Sequence, residues 1–432
     1  MPGIAALRGL SERSAHLSER LRPKEIRAPS LDWLNFLVAD VRGALGPYVI
    51  VYLTSQQGWS PSSVGIVMTI GGWAGLAAQT PIGAWLDTSR HKQGLLLSGL
   101  AVLSAGAVVI AVLPHFWPVL LANGMMQVVS GVFEPAIAAI TAGLFARDAL
   151  TRRMGRNAAW ARAGNGTVAV TSGVLAWVFA SQVVFFQVPV ISVLAAIAVL
   201  SIPYEKIDLR RARGLGSGGE EKPAEDERPT AWFSLFRSRQ LVVFGVCSFL
   251  YELADAPLLS LVGQQMGMEH RAAGTVITSA FIVAAQLGMM ASSIVVGRRA
   301  DMWGHRRLLA AGFAMLPVQA VLTVLTPDPY WLTAVQLFGG FGTGLFAALT
   351  PIWLADITRG TGRYNLSQGV VATLRALGVT TSALLSEIGL EQLGYSATYI
   401  GCGALGSAAL ALLWFGLPER QGQQRYSAAT AK

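Results

Sequence analysis

Twelve long apolar stretches constrain the fold of this sequence more than any other feature. A helix needs ~20 mostly apolar residues to cross a bilayer, because hydrocarbon offers its backbone polar groups no partner outside the helix. The stretches are residues 31–56, 62–86, 93–113, 117–145, 157–180, 183–202, 238–263, 271–296, 308–326, 331–356, 364–388 and 396–417. We therefore predict an all-α integral membrane protein with twelve transmembrane helices.

The composition supports this class of protein and excludes others. Charged residues make up 13% of the 432 residues and hydrophobic residues 53%, whereas a soluble domain is about a quarter charged. A soluble enzyme, a disordered chain and a disulfide scaffold are thereby excluded. The five histidines are scattered, and no glycine-rich ATP-binding loop is present. We expect no enzyme activity, no metal and no cofactor.

The basic residues predict the orientation in the membrane. With twelve spans and both termini on one side, that side holds 29 of the 33 lysines and arginines. Loops rich in Lys and Arg stay in the cytoplasm. We expect a multi-pass protein of the cell inner (cytoplasmic) membrane with both termini cytoplasmic. The net charge of +9 then reflects orientation, and we expect no nucleic-acid partner.

Polar segments divide the chain into five parts. Residues 1–30 form a basic arm without the apolar core of a secretory signal peptide, and we expect it to lie near anionic headgroups. A first six-helix half (31–203) and a second (237–417) are joined by a flexible cytoplasmic linker (204–236). Residues 418–432 form a cytoplasmic tail.

The two halves repeat each other. A Gly-x-x-x-Asp motif follows the second span and again the eighth, close to half the chain later, each time with a basic residue behind it. Other pairs recur at nearly the same spacing: Asp40 with Asp255, Gly131 with Gly344, and Arg162 with Arg375. The motif residues are Gly83, Asp87 and Arg90 in the first copy and Gly297, Asp301, Gly304 and Arg306 in the second.

With twelve spans and both motifs, residues 31–417 resemble the major facilitator superfamily of transporters. Glycine permits close helix approach, and the aspartate can meet the positive N-terminus of a neighbouring helix. The resemblance implies that these residues latch the cytoplasmic side shut in the outward-facing state. The first copy departs from the pattern at Thr88 and Ser89, which predicts a weaker latch there.

Charges inside spans are the candidate functional residues. A charge at the bilayer centre costs ~2.5–3.5 kcal/mol on insertion scales, so it needs a partner or a function. Spans three, six, nine and twelve contain none and are expected to face lipid. The resemblance implies the same, with spans one, four, seven and ten around a central cavity. The interior charges are Asp40, Arg42, Glu134, Arg162, Glu252, Asp255 and Arg375.

The four acids are candidates for proton coupling or for the cavity wall. Glu252 and Asp255 are three residues apart and share a helix face, and two carboxylates in a poorly solvated place resist ionising together. This pattern is typical of a proton carrier, with Asp40 and Glu134 as further candidates. Alternatively, each acid is a structural partner of one of the interior arginines.

The three arginines are candidates for binding an anionic substrate or for joining helices. Arg162 lies about six residues into its span and is close enough to the interface to reach the cytoplasm. Arg42 and Arg375 are therefore the better predicted substrate contacts. Asp40 and Arg42 are about 200° apart around a helix and do not simply pair with each other.

The sequence favours a secondary transporter that moves a small organic molecule by alternating access, with proton-coupled efflux as the first hypothesis. Gly164-Asn165-Gly166 lacks the proline of the Gly-Pro motif common in antiporters, so a proton-coupled importer of an organic anion or nutrient is the alternative. A non-transporting receptor or assembly factor of the same fold is the alternative from another class. Expected partners are the substrate, protons and the lipid bilayer, and we expect a monomer.

Overall fold

The computed structural model describes residues 29–41, 45–88, 92–145, 147–203, 239–271, 273–358 and 364–417. These residues are helical throughout except for short connections. The helices are α1 (Pro29–Val41), α2 (Leu45–Val51) with a π-helical extension (Tyr52–Gln56), α3 (Pro61–Thr88), α4 (Lys92–Val112), α5 (Phe116–Leu144), α6 (Arg147–Val178), α7 (Val183–Leu200), α8 (Arg239–Glu269), α9 (Gly274–Trp303), α10 (His305–Leu325), α11 (Pro329–Ile357) and α12 (Tyr364–Gly416). The predicted all-α membrane fold is confirmed.

The helices follow the predicted spans with two informative differences. Helix α6 begins at Arg147, well before the predicted span, because its polar first turns remain helical outside the apolar stretch. Helix α12 joins the last two predicted spans through Gly394, whose φ of 79° turns the chain and suits glycine. Within the described residues, nine helices are long and apolar enough to span a membrane, and the count of twelve stays a prediction.

The described residues of α1–α7 and of α8–α12 form two halves related by pseudo-symmetry. A Cβ on Gly164 would strike the backbone of Phe36, and a Cβ on Gly378 would strike that of Phe249. The second contact repeats the first about half the chain later. Small residues at helix crossings let backbones approach closely in membranes, so each half is built on the same crossing.

A second crossing repeats in the same way. Gly75 of α3 packs against Gln127 of α5, and Gly288 of α9 packs against Gly340 of α11. The spacing from Gly75 to Gly288 equals that from Gln127 to Gly340. The sequence repeat therefore corresponds to a repeat of helix packing.

The bundle has two ends, which we name by their chain connections. The terminal end holds the start of α1 and the end of α12, and the far end holds residues 57–60, 113–115, 179–182, 270–271, 273 and 326–328 of the short connections. Peripheral helices expose large apolar side chains as a lipid-facing surface requires, among them Val190, Val193 and Ile197 on α7 and Val318 and Val321 on α10.

The halves contact each other toward the far end. Thr275 donates to Ser181 (2.7 Å), and the hydroxyls of Tyr48 and Ser279 are 2.9 Å apart. Nearer mid-depth, Thr69 of α3 donates to the Thr380 carbonyl (3.0 Å). These polar contacts hold the far end of the bundle closed.

Candidate functional site

A buried ion pair lies at mid-depth in the second half. Gly394 divides α12 into a first arm before it and a second arm after it. Arg375, on the first arm, donates from Nε and Nη2 to Oε1 of Glu252 on α8, at 2.7 and 2.5 Å. The Arg375 guanidinium carbon lies 4.7 Å from the ring centroid of Phe346. The Glu252 side chain is 10% exposed and that of Arg375 is 30% exposed. The close approach at Gly378 brings α12 near enough to α8 for this pair to form.

Asp255 lies one turn from Glu252 and has a different partner. Its Oδ2 accepts a hydrogen bond of 3.0 Å from the hydroxyl of Thr343 on α11. The two acids were expected on one helix face, but the structure directs them to different neighbouring helices. Asp255 is therefore half-buried beside a neutral hydroxyl, whereas Glu252 faces a cation.

Arg162 lies on the same face of α6 that packs against the second half nearer the far end. About three helical turns further along this face, Gly173 packs against Ser279 of the second half. Gly173 is buried, but Arg162 and Ala158, nearer the terminal end, are exposed. From this exposure we infer that the halves diverge toward the terminal end and leave a cleft beside Arg162.

The two arginines that recur in sequence are not equivalent in space. Gly164 and Gly378 take equivalent positions at the two helix crossings. Arg162 and Arg375 are separated in the sequence by one residue fewer than these two glycines are. One residue turns a side chain by about 100° around a helix, which explains why Arg375 pairs with α8 while Arg162 is exposed.

The two arginines differ in their partners. Among the described residues Arg162 has no charged partner, whereas Arg375 donates from Nε and Nη2 to Glu252. The role of either arginine as a substrate contact stays a prediction.

The remaining predicted interior charges are described in part. Glu134 on α5 is exposed. Asp40 lies in the last turn of α1, and its side chain lies outside the described part of the chain. Arg42 lies outside the described residues altogether.

The latch motifs sit at the terminal end, as their order in the chain requires. A Cβ on Gly83 or Gly297 would meet nothing within 4 Å among the described residues, so the expected close helix approach is not made in this conformation. Gly304 has a φ of 84° and ends α9, a conformation that favours glycine. Asp87 and Asp301 lie on α3 and α9 with their side chains outside the description, and Arg90 is not among the described residues.

Arg306, in the first turn of α10, contacts the second arm of α12. Its Nη2 donates to the carbonyl of Trp414 on the second arm of α12 (2.6 Å). The guanidinium also lies 4.9 Å from the centroid of the Trp414 ring. Arg306 therefore ties α10 to the end of α12.

Two further buried acids were not among the predicted interior charges, because they lie near the ends of predicted spans. Asp32 in the first turn of α1 is 4% exposed and binds Arg153 and Arg156 of α6 at 2.7 and 2.6 Å. Burial lowers the pKa of Arg153, and the charge of Asp32 opposes that shift. The three charges join α1 to α6 within the first half.

The second missed acid lies near the far end. Glu387 on the first arm of α12 is 2% exposed and accepts a hydrogen bond of 3.2 Å from Gln264 on α8. One turn later, Glu391 accepts a 3.1 Å bond from the backbone N–H of Ser62, at the start of α3. A carboxylate at a helix N-terminus complements the helix dipole. This pair of acids lies where the halves meet, and the position of Glu387 just inside the predicted span was the available signal.

Two pseudo-symmetric helical halves meet at one end, diverge at the other and hold charges at mid-depth, which defines a multi-pass membrane protein with a transporter architecture. The described residues contain no cluster of three or more potential metal-ligating side chains.

Comparisons with known proteins agree with this class. The model of the Major Facilitator Superfamily matches residues 31–285 and 256–430. The chain belongs to the major facilitator superfamily. It is 38% identical over 393 residues to an uncharacterized MFS-type transporter of Mycobacterium tuberculosis, covering 91% of this chain and 93% of the relative.

More distant similarities point to the same fold. A D-xylose transporter of Levilactobacillus brevis is 31% identical over 144 residues, which is 32% of this chain and 30% of that protein. The crystal structure of the nucleoside transporter NupG superimposes with a TM-score of 0.74 at 12% identity, covering 91% of this chain and 99% of that one. A POT family transporter in complex with a thioalcohol-conjugated peptide gives a TM-score of 0.67 at 12% identity, covering 89% and 94%.

Proposed function

We propose that this chain is a secondary transporter that moves a small organic molecule by rocking its two halves about a mid-depth site. The observation that carries the proposal is that side chains of the two halves contact each other toward the far end, whereas α6 is exposed from Arg162 toward the terminal end. This difference supports a cleft that is closed at the far end. Because one chain supplies both halves, we propose that the monomer is the working unit.

We propose that the terminal end faces the cytoplasm of a cell whose inner membrane holds the protein. The support is the charge asymmetry of 29 of 33 basic residues. In this orientation the described conformation is open inward. The free space around Gly83 and Gly297 fits a latch that closes only when the terminal end closes.

We propose that Asp255 carries the coupled proton. Glu252 is neutralised by Arg375, whereas Asp255 is bonded to a neutral hydroxyl. Asp255 can therefore gain or lose its charge without breaking an ion pair, while a proton on Glu252 would leave a buried guanidinium without its counter-ion. Crossing the membrane potential supplies ~2.3 kcal/mol per charge per 100 mV.

We propose that Arg162 contacts the substrate and that the substrate carries a negative charge. It is exposed to the cleft and lacks a charged partner among the described residues. An arginine can bind a carboxylate or phosphate through two parallel hydrogen bonds. A thermal-shift screen of anionic and neutral metabolites, antibiotics and chelators tests this. Arg162→Gln should abolish the stabilisation by a ligand, whereas Arg298→Gln, which removes an exposed arginine of the second half, should leave it intact. Hits that are all neutral or cationic would contradict it.

Proton coupling is tested in proteoliposomes that contain a pH-sensitive dye. Ligands from the screen are added outside under an imposed pH gradient, and Asp255→Asn should abolish the substrate-dependent pH change while the ligand still stabilises the protein. Glu269→Gln is the matched control, since Glu269 is an exposed acid on the same helix. Asp40→Asn is the parallel test in the first half. Normal coupling in the Asp255→Asn variant would contradict the assignment.

The same measurement separates export from import. Our proposal is export by proton antiport, in which substrate entering a vesicle drives protons out and raises the internal pH. Import by symport is the second candidate, favoured by the missing proline at Gly164-Asn165-Gly166. Symport would lower the internal pH on substrate addition.

A further inference from the structure

An apolar groove of about 620 Å³ lies on the outer surface of the second half, between α10 and the second arm of α12. Alanine and serine side chains line more than half of it, and two aromatic residues and one arginine stand toward its terminal end. Among the residues that line it are Ala310, Ala314, Ser407, Ala411, Trp414 and Arg307. It lies on the outside of the bundle, away from the face of α6 that carries Arg162.

Helix packing explains why the groove exists at this depth. Nearer mid-depth, Gly403 packs against Ala320 and Gly406 against Leu316, so the two helices touch there. Toward the terminal end, alanine and serine side chains are too small to fill the space as the helices diverge. The groove runs at least from Arg307 to Ala314, which is ~10 Å along α10.

The mouth of the groove is positively charged. Arg307 in the first turn of α10 is exposed and is the one charged residue among the described residues that line the groove. The neighbouring Arg306 is fixed against Trp414 by its hydrogen bond and ring contact. The apolar groove therefore ends at two guanidinium groups at the terminal end of the bundle.

We propose that this groove binds an anionic phospholipid, with an acyl chain between α10 and α12 and the phosphate at Arg307. Guanidinium groups bind phosphate through paired, charge-assisted hydrogen bonds, and basic pockets between transmembrane helices recognise anionic headgroups. The apolar floor selects a lipid over a free phosphate. A general lipid-facing surface would accept any phospholipid, whereas this groove prefers an acidic one.

Native mass spectrometry of the full chain tests the preference. Purified protein in detergent receives equal amounts of dioleoyl phosphatidylglycerol or dioleoyl phosphatidylcholine. We expect the anionic lipid to be retained about tenfold more strongly. Both lipids carry the phosphate, but the choline cation of phosphatidylcholine is repelled by the guanidinium groups at the end of the groove. Equal retention of the two lipids would overturn the proposal.

Three variants locate the site. Arg307→Gln should remove the preference for phosphatidylglycerol, and Arg298→Gln, an exposed arginine at the same end outside the groove, should preserve it. Ala314→Leu fills the groove and should reduce retention of both lipids. Equal losses in Arg307→Gln and Arg298→Gln would show a non-specific charge effect and contradict the site, as would unchanged binding in both Arg307→Gln and Ala314→Leu.

Discussion

Arg375 directs two donors at a single oxygen of Glu252, and this pair fixes the first arm of α12 to the middle of α8. The contact joins helices of the same half, so it can persist while the halves move. The pair therefore holds two helices of the second half together with their opposite charges balanced.

We expect the Glu252–Arg375 pair to behave non-additively in a double-mutant cycle. Arg375→Gln or Glu252→Gln alone leaves a poorly solvated charge without its partner and should reduce the free energy of unfolding by about 3 kcal/mol. The double variant removes both charges and should lose less than the sum of the singles. Chemical unfolding in detergent measures each variant, and additive losses would show that the pair is not energetically coupled.

The crossing of α6 and α1 should depend on Gly164. Gly164→Ala places a methyl group against the backbone of Phe36 and should destabilise the fold by about 1–3 kcal/mol. Gly166→Ala, two residues along the same helix, meets nothing within 4 Å and should be neutral or stabilising by ~0.5–1 kcal/mol. Thermal unfolding compares the two. Similar melting temperatures for both variants would refute the close approach.

A disulfide across the far end should lock the described conformation. The hydroxyls of Ser181 and Thr275 are 2.7 Å apart in opposite halves, so Ser181→Cys with Thr275→Cys should cross-link under mild oxidation. The cross-link should block substrate transport, and a reductant should restore it. Each single-cysteine variant serves as the control. Full transport by the oxidised double variant would mean that the far end does not open.

Glu387→Gln should shift the protein toward the conformation with the far end closed. The amide can still accept the hydrogen bond from Gln264, but burying it costs less than burying a carboxylate.

Spin labels at Ser60→Cys and Gln392→Cys, both exposed at the far end, report the separation of the halves. The native Cys247 and Cys402, both buried, are first replaced by alanine.

In the Glu387→Gln variant the distribution of distances between the spin labels should shift toward the short distance of the closed far end. Glu391→Gln is the comparison, because it weakens the bond to the Ser62 N–H and should lengthen the mean distance. A Glu387→Gln distribution that matches the parent, or one that shifts to longer distances, would contradict this role.

The membrane class, the helical fold and the repeat could be predicted from the sequence because they depend on local properties. Apolar length decides whether a segment crosses hydrocarbon, and the repeat spacing of about half the chain recurs in the helix crossings at Gly75 and Gly288. The Gly-x-x-x-Asp motifs pointed to the family that the comparisons confirm. The roles of the interior charges remain proposals.

The partners of the charges were decided only by tertiary structure. Glu252 and Asp255 share a face in sequence yet bind different helices, and a shift of one residue separates Arg162 from Arg375. Asp32 and Glu387 looked like residues at the ends of spans, but neighbouring helices bury them. Hydropathy measures the free energy of placing a segment in lipid. The partner of a single charged side chain depends instead on which side chains the other helices bring within a few ångströms.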